Sequence, residues 1–240
     1  MMVDLGYFSM MLAFLSAAYA IVASVLGARS RNAQLIASGE HGVLATWGMI
    51  SLATGILLYN LLIGNMQLEY VASFTSTTLP TIYRISALWA GSEGSLLFWG
   101  WTLATFAVVV LLQNRTRNRI LMPYVHATMM TVTLFFISIN VFYANPFTLL
   151  PFTPAEGSGL NPILQMPLMM IHPPILYQGY VGVTVPFAFA IAALITRELG
   201  DTWVRTIRRW TLYAWFFLGF GLMLGGRWAY MELGWGGYWA

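Results

Sequence analysis

Residues 94–114 read GSLLFWGWTLATFAVVVLLQN and contain no charged side chain. A helix needs about 20 predominantly apolar residues to cross the hydrocarbon core of a bilayer, so this stretch is long enough to span a membrane. Five further charge-free stretches cover residues 5–28, 42–68, 120–155, 157–196 and 210–226. The pattern predicts six transmembrane helices, at about residues 5–27, 42–63, 94–112, 121–143, 174–196 and 210–226.

The composition agrees with this interpretation, because 59% of the 240 residues are hydrophobic and only 8% are charged. A soluble surface needs far more charge than this. We therefore predict an all-α integral membrane protein, with residues 1–240 forming a single transmembrane domain. No internal repeat or domain boundary interrupts it.

The arginines predict the orientation of the chain. Nine of the eleven basic residues follow the first, third and fifth predicted helices: Arg29, Arg31, Arg115, Arg117, Arg119, Arg197, Arg205, Arg208 and Arg209. By the positive-inside rule these residues are cytoplasmic, so the amino terminus and residues 64–93, 144–173 and 227–240 face outward. We expect a bacterial or archaeal cytoplasmic membrane with a periplasmic outer face. The basic pI is then explained by the arginines of these short cytoplasmic loops. Anionic membrane lipid is a sufficient partner for these arginines, and no nucleic-acid partner is expected.

The outward segments are predicted to be ordered loops. Together with the first residue of the fifth predicted helix, they hold eight of the ten prolines: Pro80, Pro146, Pro151, Pro154, Pro162, Pro167, Pro173 and Pro174. Each proline fixes φ and removes alternative conformations from the chain. Loops as long as 144–173 are usually functional when they are ordered.

Histidines are the main candidates for chemistry, because the chain has no cysteine and no lysine. Thiol nucleophiles, disulfides, cysteine metal sites and Schiff bases are thereby excluded. His41 and His126 lie near the cytoplasmic side, and we expect each to be interfacial or hydrogen-bonded within the bundle.

His172 differs, because it precedes two prolines in the sequence MIHPPILYQGY at the outer start of the fifth predicted helix. Pro173 should hold His172 in an extended conformation, and Pro174 suits a first helical turn. The positive helix end would keep the imidazole neutral and able to bind metal. One histidine cannot form a zinc site, but a metal held in a macrocycle needs only one or two more ligands, which points to haem. A capping or loop-bonding histidine is the alternative.

The carboxyl-terminal residues 227–240 place Trp228, Trp235 and Trp239 around three glycines: Gly234, Gly236 and Gly237. Tryptophan at a helix end often belongs to an interfacial aromatic belt. A belt does not require glycines, whereas small residues let a flat ligand approach the backbone. A platform for a planar ligand is therefore a second interpretation of this tail.

The outward charges offer partners for such a ligand. Glu93 stands at the start of the third predicted helix, where the helix dipole favours an anion, and we expect it to act as a cap. Arg84 and Arg227 are the outward arginines. They could pair with haem propionates or with the outward carboxylates.

Four ordered motifs resemble the amino-terminal half of the CcmF family, the F subunit of the cytochrome c maturation haem lyase. They are LPTIYRISALWAGSEGSLLFW (79–99), LNPILQ (160–165), HPPILYQGYVG (172–182) and AYMELGWGGYW (229–239). The resemblance implies that His172 is the first of two outward histidines that ligate b-type haem during its transfer. It also implies that Trp235, Gly236, Gly237 and Trp239 hold this haem.

For the reaction, the resemblance implies cytochrome c biogenesis by a haem lyase component. The family joins haem vinyl groups by thioether bonds to the Cys-x-x-Cys-His thiols of apocytochrome c. Haem comes from a haem chaperone, and thiol-handling maturation subunits take part. Family members continue into later helices that carry the second outward histidine and two membrane histidines for a structural haem. We therefore expect this chain to be the amino-terminal part of a longer or split protein, and to need a carboxyl-terminal companion polypeptide.

Two other classes of protein remain open from the residues. A haem- or quinone-binding respiratory or transporter subunit would also have six spans, but it should carry intramembrane acids or paired histidines, which these helices essentially lack. A pure scaffold would not need a histidine beside a Trp-Gly motif.

Overall fold

The computed structural model describes residues 2–235, and these residues form an all-α bundle. The helices are α1 (Met2–Ser30), α2 (Ala33–Ile63), α3 (Glu69–Phe74), α4 (Thr81–Ser86), α5 (Ser92–Gln113), α6 (Met122–Phe142), α7 (Pro167–Gly182), α8 (Thr184–Thr196) and α9 (Thr202–Trp228). Short 3₁₀ turns cover Ala87–Trp89 and Pro162–Leu164, and a π turn, Ala229–Leu233, follows α9.

Five stretches of the described chain are long and apolar enough to cross a membrane: α1, α2, α5, α6, and α7 together with α8. The sixth predicted span, 210–226, lies within α9. This helix has the length of a span, but Arg205, Arg208 and Arg209 in its first turns make it less apolar as a whole. The prediction of an all-α integral membrane protein with about six such helices is confirmed.

Helix α2 begins at Ala33, earlier than the predicted residue 42, because Asn32 caps it. The Asn32 side-chain oxygen accepts hydrogen bonds from the backbone N–H groups of Gln34 (3.0 Å) and Leu35 (3.1 Å). Such caps satisfy N–H groups that have no partner inside the helix. The charge of Glu40 is accommodated because Arg119 pairs with it at 2.8 Å.

Helices α1 and α2 pack closely through small residues. A Cβ added to Gly42 would lie 2.9 Å from the Ala20 Cβ, and one added to Gly39 would lie 2.6 Å from the Ser24 hydroxyl oxygen. Membrane helices commonly associate through such positions, because the backbones can then approach each other.

The two ends of the bundle differ in character. We call one the arginine end; it holds the α1–α2 connection, residues 114–121 between α5 and α6, and the start of α9. We call the opposite end the loop end; it holds residues 64–91 and 143–166. The helix order places these two sets of segments at opposite ends of the bundle. At the arginine end, the side-chain contacts Arg119–Glu40 and Asn118–Thr206 join neighbouring elements.

The loops at the loop end are tied together by backbone hydrogen bonds. An isolated antiparallel bridge joins Leu68 to Leu149. Farther along, the Ser158 N–H donates to the Ala72 carbonyl at 2.7 Å and the Gly159 N–H to the Thr75 carbonyl at 3.0 Å. The prediction of ordered loops is thus confirmed.

Side chains strengthen this connection. The Glu156 carboxylate accepts hydrogen bonds from the Thr77 N–H at 2.7 Å, from the Thr77 hydroxyl, and from the Gly157 N–H at 2.9 Å. The bond from the Thr77 side chain, followed by those from the two backbone N–H groups, lowers the pKa of Glu156 below its ordinary value. Glu156 is therefore held in its charged form as part of the loop structure.

Candidate functional site

His172 lies inside helix α7, which corrects the predicted extended conformation. The helix begins at Pro167, with Met166 as an extended N-cap, so His172 is in the second turn and Pro173 and Pro174 are internal. The residue before a proline disfavours the helical region, but tertiary packing can override that preference. Because the dipole effect fades beyond the first turn, the predicted cause of a neutral imidazole does not apply to His172. The orientation of the ring has a separate cause.

That cause is a hydrogen bond to α9. Nδ1 of His172 lies 2.8 Å from the Gly221 carbonyl oxygen, and the ring is half-buried. A carbonyl oxygen can only accept, so Nδ1 carries the proton and donates it to this bond. In the neutral imidazole, Nε2 then holds the lone pair that can bind a metal. The predicted alternative of a capping or loop-bonding role is not what the contact shows, because the acceptor lies on a neighbouring helix.

Glycines make room for this ring. A Cβ on Gly225 would lie 2.6 Å from His172 Cε1 and 3.0 Å from Nδ1. Along the same contact, a Cβ on Gly221 would lie 2.9 Å from Leu176 Cα, and one on Gly179 would lie 2.4 Å from the Leu218 backbone nitrogen. We call this contact of α7 and α9 the glycine seam. Any larger residue at Gly225 would have to displace the imidazole.

Gly221 and Gly225 were not predicted as parts of the site. Their spacing of four residues in one apolar stretch is a signal that could have been used, because two small residues at this spacing are typical of close membrane-helix contacts. It would have identified the close packing of α9. It would not have identified His172 as the residue in contact.

The tryptophans predicted for the site lie at the end of α9. Trp228 is the last residue of the helix, three residues after Gly225, and its Nε1 donates to the Ile163 carbonyl at 3.3 Å. The π turn follows, and Gly234 with φ +64° leads to Trp235, which is 67% exposed. The structure therefore brings Trp228 and His172 to the same end of the α7–α9 pair.

The remaining predicted tail residues are Gly236, Gly237 and Trp239, and they lie outside the described residues. Their role stays a prediction.

The predicted roles of the charged residues are revised in part. Glu93 is in the first turn of α5 as expected, but no side-chain capping hydrogen bond is present at this helix start. Arg84 donates to four backbone carbonyls, those of Leu62, Ser76, Thr77 and Leu79, so its guanidinium braces residues 62–79. After the hydrogen bonds from Thr77 and Gly157, its charge also contributes to the lowered pKa of the outward Glu156 carboxylate. Arg227 is exposed in the last turn of α9.

The stretch 79–99, which carries one of the four sequence motifs, is held in place by Tyr70 of α3. Its buried hydroxyl donates to the Ala87 carbonyl at 2.8 Å and accepts from the Gly91 N–H at 3.1 Å. Burial is the main cause of a raised pKa of Tyr70, so this hydroxyl stays protonated. The turn between α4 and α5 is thereby fixed against α3.

The other two histidines lie toward the arginine end. His41 is exposed on α2, beside the Glu40–Arg119 pair. His126 is 1% exposed in α6, and neither ring nitrogen has a hydrogen-bond partner among residues 2–235. The expectation that His126 is hydrogen-bonded within the bundle is therefore wrong for the described residues.

The described residues contain no group of three or more His, Cys, Asp or Glu side chains that could hold a metal ion. A lone imidazole cannot retain a bare transition metal, which needs several protein ligands. It can supply one axial ligand to a metal already held in a macrocycle. The His172 ring, with Nε2 as its acceptor nitrogen, fits this second use.

Fold and site together define a multi-pass membrane protein that carries a fixed histidine near one end of its bundle. The chain belongs to the family described as "Cytochrome C assembly protein", whose model matches residues 89–240. The resemblance inferred from the four sequence motifs is thereby confirmed.

Three curated relatives are similar over the full chain. "Cytochrome c-type biogenesis protein CcmF" of Haemophilus influenzae is 39% identical over 240 residues, and the protein of the same name from Escherichia coli is 40% identical over 248 residues. "Cytochrome c-type biogenesis protein NrfE" of Haemophilus influenzae is 37% identical. The chain covers 37% of each CcmF relative and 38% of NrfE, so it spans little more than a third of their length.

A solved structure, "Cytochrome c Heme Lyase CcmF", superposes on the whole chain with a TM-score of 0.86 and 28% identity. The chain covers 38% of that protein.

Proposed function

We propose that this chain is the haem-handling part of a cytochrome c haem lyase, and that His172 Nε2 supplies one axial ligand to the haem that is being transferred. The observation that carries the proposal is the 2.8 Å contact of Nδ1 with the Gly221 carbonyl. Metal-ligating histidines commonly donate their second N–H to a carbonyl, which fixes the tautomer and raises the basicity of the ligand. Membership of the cytochrome c assembly family supports the same interpretation.

In this proposal haem is a substrate, and the chain binds and orients it. The thiols of the reaction come from apocytochrome c, because this chain has no cysteine. Each thioether forms when a thiol adds across a haem vinyl group: a carbon–sulfur bond forms, the thiol hydrogen ends on the neighbouring carbon, and no net oxidation occurs. Trp228, Trp235 and Trp239, with Gly236 and Gly237, would cover a haem face.

A second histidine ligand must come from another polypeptide or from further sequence, because His41 and His126 lie toward the opposite end of the bundle. We propose a carboxyl-terminal companion as its source. A haem chaperone, apocytochrome c and thiol-handling maturation subunits are the further partners that the reaction requires. The arginine bias favours a periplasmic loop end.

Haem titration of the purified chain tests the proposal, with absorption spectra of the wild type, His172→Ala and His41→Ala. We expect His172→Ala to lose most of the bound haem while inserting into the membrane normally, because the substitution removes the ligand but only one hydrogen bond of the α7–α9 contact. His41→Ala is the matched control, since it removes an imidazole about a membrane thickness, roughly 30 Å, away.

Three results would overturn the proposal. The first is equal loss of haem in His41→Ala and His172→Ala. The second is unchanged haem binding in His172→Ala. The third is a bis-histidine spectrum from the isolated chain, which would remove the need for a companion ligand.

A further inference from the structure

A cavity lies at the arginine end of the bundle, far from His172. It opens between the carboxyl-terminal half of α5, residues 114–118 and the first turns of α9, and its volume is about 750 Å³. Small-molecule sites commonly have volumes of about 300–1,000 Å³. The haem-binding proposal makes no use of this cavity.

Its rim is cationic. Arg117, Arg205 and Arg209 line it, and Arg205 pairs with Asp201 at 2.5 Å. Arg117 and Arg209 are exposed, and neither guanidinium has a hydrogen bond or an ion pair with any of residues 2–235. Two unpaired guanidinium groups beside one opening favour an anion, and the planar fork of arginine matches the oxygens of a phosphate.

Its wall is aromatic. Phe106 of α5 faces Trp210 and Tyr213 of α9, with ring centroids 5.2 and 5.8 Å apart. Tyr213 lies eight residues after Arg205, which is about 12 Å along the helix axis, so the wall extends from the cationic rim toward the apolar middle of the bundle. Next to it, the outer surface of α9 exposes Leu212 and Phe216.

Polar side chains hold the two walls together. Trp210 Nε1 donates to the Gln113 side-chain oxygen at 3.1 Å, and Asn118 Nδ2 donates to the Thr206 hydroxyl at 3.3 Å. Both hydrogen bonds cross from the α5 side to α9. The cavity is therefore a formed structural feature with a fixed width.

We propose that this cavity binds one anionic phospholipid, with the phosphate on Arg117 and Arg209 and an acyl chain along Phe106, Trp210 and Tyr213. A free phosphate or a nucleotide would satisfy the arginines but would leave the aromatic wall without an apolar partner. A zwitterionic lipid would fill the wall but would bring a cationic group to a cationic rim. Only an anionic lipid matches both parts.

Native mass spectrometry of the full chain in detergent tests this, with phosphatidylglycerol and phosphatidylcholine as probes at equal concentration. We expect retained adducts of phosphatidylglycerol in preference to phosphatidylcholine. Because one arginine near a lipid surface contributes about 1 kcal/mol, Arg117→Gln with Arg209→Gln should weaken phosphatidylglycerol retention by roughly thirtyfold. Arg29→Gln is the matched control, because it removes one exposed cation at the same end but outside the cavity, and it should change retention little.

The proposal fails if phosphatidylcholine is retained as well as phosphatidylglycerol by the wild type, a result that needs no variant to fold. It also fails if the double variant and Arg29→Gln retain phosphatidylglycerol equally. Inorganic phosphate at millimolar concentration should not displace the lipid; displacement would mean that the site binds a free anion. None of these outcomes depends on haem, so the proposed function is tested separately.

Discussion

At the scale of single residues, the orientation of the His172 ring depends on two glycines of α9. The ring occupies the space that a Cβ on Gly225 would need, and its Nδ1–H is directed to the Gly221 carbonyl. Two glycines of α9 thus fix both the position and the tautomer of the proposed ligand. A histidine alone in the same helix would be free to turn either nitrogen outward.

Replacing Gly225 by alanine should therefore weaken haem binding although the ligand itself is kept. The new Cβ would lie 2.6 Å from Cε1 of the ring and 3.0 Å from Nδ1, so the imidazole must move. Loss of an interaction that orients a metal ligand typically costs about 10–100-fold in affinity, and we expect a loss in this range in a haem titration. Gly219→Ala is the matched control, because a Cβ at that position of the same helix meets no atom within 4 Å. A loss as large in Gly219→Ala would show that helix composition, not ring position, causes the effect.

His126 presents the opposite situation, because it is buried without a hydrogen-bond partner among the described residues. An unsatisfied buried polar group costs about 1–3 kcal/mol. His126→Leu should consequently raise the free energy of unfolding by an amount in that range, measured by denaturant titration in mixed micelles. Met130→Leu, a volume-conserving change one turn away, should alter the stability by less than about 1.5 kcal/mol. A clear loss of stability in His126→Leu would mean that the imidazole has an interaction that water or another molecule provides.

At the scale of elements, the connections between helices decide what the loop end can do. Residues 64–91 and 143–166 pair through backbone hydrogen bonds and through the Glu156–Thr77 contact. Arg84 and Tyr70 add further bonds to carbonyl groups on the same side. The loop end is consequently a connected layer above the helices.

The Glu156 contact should depend on pH. Its pKa is lowered in the folded protein, so its contribution to stability is present above the ordinary value and is lost as the pH falls through the lowered value. Hydrogen exchange at the Thr77 and Gly157 amides should be slower in the wild type than in Glu156→Gln at neutral pH, and the difference should vanish in acid. Glu69→Gln, another exposed carboxylate at the loop end, should leave these amides unchanged. A difference that persists below the folded pKa would contradict this assignment.

The sequence predicted these elements unequally, for physical reasons. The charge-free stretches predicted the apolar middle of each membrane-spanning helix correctly, because a charged side chain is costly to bury in lipid. The starts of α2 and α7 were missed, because Asn32 and Pro167 are the signals and they lie beyond the apolar runs. His172 was predicted as a site residue from its local motif, and that role stays a prediction. Its contact with Gly221 was not predicted, because the two residues are brought together only by the packing of α7 on α9.

At the scale of the whole molecule, the arrangement of the arginines predicts which end faces the cytoplasm. Alkaline phosphatase fused after residue 155 should be active, and fusions after residues 116 and 203 should be silent, because this enzyme works only outside the cytoplasm. The three sites sample both ends of the bundle, so they control for expression. Activity at 116 and 203 with silence at 155 would reverse the orientation and would move His172 to the cytoplasmic side.

The pairing of residues 64–91 with 143–166 has a consequence for recognition. A surface whose backbone is already fixed gives up little conformational entropy when it binds a ligand, because that cost was met when the protein folded. The ordering cost of a complex at this surface therefore falls on the arriving molecule. A flexible peptide would have to adopt the shape of the loops, so affinity there depends more on how readily the peptide is ordered than on any rearrangement of the bundle.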